Sequence, residues 1–203
     1  MMASTHGLYG MATATAVAMV LPEAAPQALL AGFVGGFVPD LDAYAAHRRT
    51  LHLPVYGSVV AVLALGFAVL APGLLTVVLA SAVVGAALHA VMDVGGGGLS
   101  LEPWADAPER AVYSHFHGRW LRPRRWVAYD GSPGDLVLAF GAGLPLLATT
   151  TGSLRLLVAG SLALSVAYAL VRRRLVAILL VILERTPDRL QRFVPRRVED
   201  ARK

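Results

Sequence analysis

With 203 residues, 56% of them hydrophobic and only 15% charged, the chain carries too little polar surface for an ordinary soluble domain. A mean hydropathy of +0.61 and long uncharged runs point to an all-α, polytopic transmembrane helical bundle. The net charge of +5 comes from 18 basic residues gathered in blocks, which reads as membrane topology and excludes a nucleic-acid-binding role, while the lack of cysteine removes disulfides, thiolate ligands and a cysteine nucleophile.

No basic residue precedes Arg48, so the first apolar run lacks the charged start of a signal peptide and is expected to be retained. Segments 7–21 and 26–38, separated by Pro22 and Pro26, form a first helical hairpin. At ~1.5 Å per residue its helices fall short of the ~30 Å hydrocarbon core, which suggests that they sit recessed. A polar insert, VPDLDAYAAHRRTLH, then carries Asp40, Asp42, His47 and His52. Segments 54–71 and 74–93 form a second hairpin, turning at Pro72-Gly73. The small residues of its second helix, among them Ala82, Gly85 and Ala86, allow neighbouring helices to approach closely.

Residues 94–134 change to four glycines followed by a polar stretch with Trp104, Trp120 and Trp126, the composition of a segment at the membrane interface. A third hairpin spans 135–151 and 154–171, and Ser132-Pro133-x-Asp135 supplies an N-cap, a proline at the first helical position and an acid in the first turn. The 172–203 tail, with Arg185, Arg189, Arg192, Arg196 and Arg197 among apolar residues, reads either as a helix leaving the bilayer to lie along its surface or as a solvated tail. The division is thus one membrane-embedded domain: 1–93 with the ligand-bearing helices, 94–134 at the interface, 135–171 as the last hairpin, and the basic tail.

Three hairpins place their tight turns on one face and everything else on the other. All basic residues but Arg155 then lie with the chain start, the insert, the 94–134 segment and the tail, so the positive-inside rule makes that face cytoplasmic. The candidate metal ligands gather there: His6 before the first helix, Asp40, Asp42, His47 and His52 in the insert, and His89 and Asp93, spaced i, i+4 on one helix face. An imidazole one turn inside the membrane boundary is costly unless paired or metal-bound. Imidazole and carboxylate donors suit zinc or manganese, with magnesium at a more carboxylate-rich site, and seven candidates exceed the ~4 ligands of one structural zinc, which suggests two ions. Asp40 or Asp42 is a candidate general base. Arg48 and Arg49 are candidates to hold an anionic substrate group or, equally, topological charges. His115 and His117 either complete the site and bind substrate or are solvent-exposed loop residues. No nucleotide loop or serine-hydrolase motif is present.

Thr5-His6, Gly36-x-x-Pro39-Asp40-x-Asp42, His47-Arg48-x-Thr50-x-His52, His89-x-x-x-Asp93 and Leu101-x-Pro103 together resemble the motifs of the LexA-regulated, YdjM-like family of membrane-bound metal-dependent hydrolases. The resemblance covers about the first half of the chain. It implies a hydrolase, and with the candidate ligands at the cytoplasmic face the expectation is hydrolysis of an ester or phosphoester, on a lipid or small-molecule substrate, by a metal-activated water. A transport or metal-handling protein, and a non-enzymatic membrane protein with a structural metal, are the alternatives.

Overall fold

The computed structural model describes residues 1–186 and builds them into six helices: α1 Ala3–Ala18, α2 Ala25–Gly35, α3 Tyr56–Leu70, α4 Leu74–Met92, α5 Pro133–Thr149 and α6 Gly152–Arg185. Among the described residues the sheet content is a single two-stranded antiparallel hairpin, β1 Tyr113–Ser114 and β2 Arg119–Trp120, with Tyr113 opposite Trp120. The fold is all-α, as the apolar runs predict.

Helices α1, α2 and α4 form one closely packed group, α3 packs on α4, and α5 and α6 pack on each other and on α1. Glycine sets how close the first group comes. A Cβ added to Gly10 would run into the backbone carbonyl of Gly32, and one added to Gly32 would run into that of Gly10. The two backbones therefore touch with no side chain between them, the small-residue packing by which helices associate without a large apolar core. The buried clusters agree, since one is built around Leu8, Met11, Phe33, Leu146 and Leu162 and the other mainly from alanines and valines such as Ala28, Ala68, Val77 and Ala80.

Among the described residues, only Leu74–Gly95, 22 residues with mean hydropathy 2.2, is long and apolar enough to cross a membrane; Tyr56–Leu70 and Pro133–Thr149 are apolar but shorter. Two boundaries differ from expectation. Helix α1 begins at Ala3, so His6 lies within its first turns rather than ahead of it. Helix α6 does not stop near 171 but continues through Arg172, Arg173 and Arg174 to Arg185. Arginine is a good helix former and no glycine or proline interrupts the run. Arg172 is buried there, its Nε and Nη2 donating to the Asp130 carboxylate at 2.9 Å each, and Arg173 stacks over Trp104 and Tyr129. These contacts fasten the 94–134 segment to α6. The tail arginines Arg189, Arg192, Arg196 and Arg197 lie outside the described residues.

Candidate metal centre

The insert after α2 folds as a 3₁₀ turn, Val38–Tyr44, opened by Pro39 at its start. In a 3₁₀ turn each residue advances the side chain by ~120°, so residues i and i+2 point in different directions. This separates the two aspartates of the PDLD motif. Asp40 turns toward α4, with Oδ1 3.6 Å from His89 Nε2. Asp42 turns toward the following loop, where its carboxylate accepts from His47 Nδ1 at 2.8 Å and His52 Nδ1 at 3.0 Å, and from the backbone N–H groups of Arg48 and Leu51. Burial opposes the charged form of Asp42, but these donors outweigh it and hold the carboxyl well below the usual carboxylate range.

Asp40, His52, His89 and Asp93 form a group whose ligand atoms all lie within 4.8 Å of one another. His52 Nε2 is 3.1 Å from His89 Nε2 and 3.3 Å from Asp93 Oδ2, and His89 Nε2 is 3.6 Å from the same oxygen. The side chains of His52, His89 and Asp93 are at most 2% exposed, whereas that of Asp40 is 25% exposed.

The outer nitrogens define the tautomers. His89 Nδ1 donates to the Gly36 carbonyl at 2.6 Å, since a carbonyl can only accept. His52 Nδ1 donates to the ionised Asp42 in the same way. In the neutral rings both Nε2 atoms are therefore lone pairs, facing each other at 3.1 Å beside two carboxylates. Asp93 already faces Arg48, but the two facing lone pairs repel unless a proton or a metal ion sits between them. Burial opposes that proton on His52, but Asp42 and Asp93 together raise the ring's pKa. The donor set of two imidazoles and two carboxylates, each ring oriented by an outer acceptor, equally fits a divalent cation such as zinc or manganese.

Of the other candidate ligands, His6 stands beside the group, with Nε2 3.1 Å from Asp93 Oδ1 and its ring edge-on to His89 at 3.7 Å between centroids. Its Nδ1 is buried without a hydrogen-bond partner. Asp42 and His47 lie outside the four-residue group, on the far side of His52, so Asp42 orients histidines instead of facing the common point. The described residues contain one such converging group, which suits a single ion more directly than two.

Arg48 is buried against Asp93, its Nε 3.1 Å from Oδ2 and its Nη2 3.5 Å from Oδ1. The Nε approach is an ion pair off the hydrogen-bonding direction, and Nε and Nη1 have no acceptor. Its backbone is left-handed, with φ 58°, an uncommon conformation for a residue with a side chain. Asp42 takes its N–H, and its carbonyl accepts from Tyr113 N–H at 2.9 Å. The β-hairpin thus holds the ligand loop from outside. Arg49 instead stacks on the Tyr113 ring at 4.5 Å. His115 and His117 are exposed at the hairpin tip, His117 bonded to Ser114 and His115 against Tyr113, and the fold does not bring them into the group.

One residue that holds the site from outside is not a ligand. Asp135, fully buried at the start of α5, accepts from Met2 N–H and Thr5 Oγ1, each at 2.7 Å, and from Gly131 N–H at 2.9 Å. It clamps the turn of α1 that carries His6. Thr5 beside His6 in the motif is the one sequence signal for that clamp. No protein-family model, no curated protein and no solved structure matches this chain.

Proposed function

We propose that the chain is a membrane-embedded, metal-dependent hydrolase acting on an ester or phosphoester of an amphiphilic, lipid-like substrate, with its site at the cytoplasmic face. What supports this is the convergence of two imidazole lone pairs and two carboxylates in one group, buried except for the partly exposed Asp40. Asp40, His52, His89 and Asp93 would hold the cation, a divalent ion of the zinc or manganese type. When bound, such an ion supplies Lewis acidity toward a carbonyl or phosphoryl oxygen and acidifies water.

The chain's own groups have distinct tasks in this reading. Asp42 and the Gly36 carbonyl fix the ring orientations of His52 and His89, which sharpens ligand geometry. Asp40, the exposed member, accepts the proton of the attacking water at a carboxylate oxygen. Asp40 also lines a cavity of about 270 Å³ whose apolar side, Met2, Phe37 and Leu164, favours a hydrocarbon portion and whose polar side includes Asp130 and Tyr168.

Membrane embedding is supported by large apolar side chains left exposed on three helices: Leu63, Phe67 and Leu70 on α3, Val137 and Leu144 on α5, Leu156, Leu164 and Leu170 on α6. A soluble monomer rarely leaves that much aliphatic surface uncovered. The motif resemblance to YdjM-like membrane-bound hydrolases points the same way.

The test is hydrolysis of aryl phosphates, aryl esters and phospholipids by the purified protein, with and without chelator, alongside its metal content. A hydrolase loses turnover with its metal and recovers it on reloading, and His89→Ala lacks both. Turnover that survives complete metal removal contradicts the reading. Bound metal without any turnover favours metal handling or a structural ion.

A further inference from the structure

The arginines of the 94–134 segment are not a simple solvated charge run. Arg119, Trp120, Arg122 and Arg124 line a cleft of about 570 Å³ whose other wall includes Val94, the residue after Asp93. The backbone builds it. Leu121 N–H donates to Val112 and Ala111 N–H to Leu121, extending the β1–β2 pairing, and Pro123 keeps the chain extended beyond it. Arg124 N–H then donates to the Val94 carbonyl at 2.8 Å, Arg125 N–H to Gly96 and Val127 N–H to Gly95. Arg125 is the second left-handed non-glycine residue, φ 55°, so one end of the run is held by β1 and the residues before it and the other end by the 3₁₀ turn after α4.

The charge in this cleft is only weakly compensated. Arg122 pairs with Glu109 at 3.4 Å, but both are solvent-exposed, so the pair is weak. Arg119 and Arg124 have no acidic partner within ion-pair distance among the described residues. Arg110 adds a further cation over the Trp120 ring at 5.9 Å. Guanidinium groups match phosphate oxygens bidentately, and several around one concavity focus the field on an anion. On the same segment, Phe116 and Trp126 are exposed aromatic side chains, the residue types that sit at headgroup level.

From this cleft we infer that Arg119, Arg122 and Arg124 form a binding site for a phosphate-bearing anion, separate from the metal centre and independent of what that centre does. The ligand is a phosphate mono- or diester, as carried by an anionic lipid headgroup or by a soluble phosphate compound. Full-length protein in detergent is incubated with short-chain phosphatidylglycerol, short-chain phosphatidylcholine or inorganic phosphate, and retention is read by native mass spectrometry for the lipids and equilibrium dialysis for phosphate. Phosphatidylglycerol is expected to be retained at least tenfold better than phosphatidylcholine. That preference is lost in Arg119→Gln/Arg122→Gln/Arg124→Gln and kept in Arg155→Gln, which changes an exposed arginine elsewhere. Arg124→Gln alone weakens it severalfold and covers the case in which the triple variant fails to fold; an unchanged circular-dichroism spectrum and melting temperature certify the fold. If inorganic phosphate competes fully, the source is soluble phosphate; if it does not compete, the source is lipid, and both outcomes support the cleft. Equal retention by wild type and the variants, or no binding of any of the three probes, overturns it.

Discussion

Gly85→Ala tests whether the metal centre depends on the close contact of α2 and α4. A Cβ at residue 85 would lie 2.5 Å from the Gly32 carbonyl oxygen and 3.0 Å from the Gly36 nitrogen, both backbone atoms that cannot rotate away, so reaching ordinary contact at 3.4 Å requires about 0.9 Å of separation. His89 sits one turn further along the same helix, and its Nδ1 donates to the Gly36 carbonyl at 2.6 Å. If the separation carries to that point, the bond lengthens to the edge of hydrogen-bonding range. Overpacking costs about 1–3 kcal/mol, or about 2–12 °C in melting temperature for a chain of this size. Loss of the ring's outer acceptor lowers metal affinity ~10-fold or more. Thermal melting in detergent and chelator competition measure the two effects. Gly66→Ala, on α3 where an added Cβ meets nothing within 4 Å, is the control, expected to be neutral or stabilising by up to about 1 kcal/mol. A Gly85→Ala protein that melts and binds metal like wild type would refute the backbone contact and the dependence of His89 on it.

Asp42→Asn keeps the shape of the side chain but loses its capacity to accept from both loop histidines, and should weaken metal binding ~10–100-fold while leaving the helices folded; circular dichroism beside a chelator titration checks both halves. Arg172→Ala leaves the partly buried Asp130 without its cation, though still bonded by Tyr168, and should destabilise by about 1–3 kcal/mol, read as the melting shift against wild type. Burial works to raise the Asp130 carboxyl, but Arg172 and Tyr168 hold it below its ordinary value of 3.8. Its contribution is therefore fully present above that value and is lost as pH falls through the folded pKa, so Asp130→Asn should flatten the acid side of the stability profile. His115→Ala and His117→Ala, at the exposed hairpin tip, should leave metal content unchanged, which elemental analysis of each variant decides.

The hairpins and the meeting of ligands were legible because long apolar runs and the i, i+4 spacing of His89 and Asp93 are local signals. Asp40 and Asp42 were not distinguishable, because two carboxylates two residues apart share a face on a strand and diverge on a 3₁₀ turn, and the turn is set by the whole insert. Arg48 was legible as a cation but not as the partner of Asp93, a contact across 45 residues. The clamp by Asp135 was hidden behind its obvious role in the first turn of α5; its carboxylate reaches α1 only because α1 and α5 pack together. The arginine block after residue 171 looked like a helix end at a membrane boundary, yet Asp130 makes burial of Arg172 favourable and the helix runs on.

Asp40, His52, His89 and Asp93 are placed to bind a metal ion. Elemental analysis of wild-type protein purified without added chelator, compared with His89→Ala/Asp93→Asn, decides whether they do. About one equivalent of a divalent transition metal in the wild type and none in the double variant is the predicted result. Folded wild-type protein that contains no metal and takes up none on titration with zinc or manganese would contradict it.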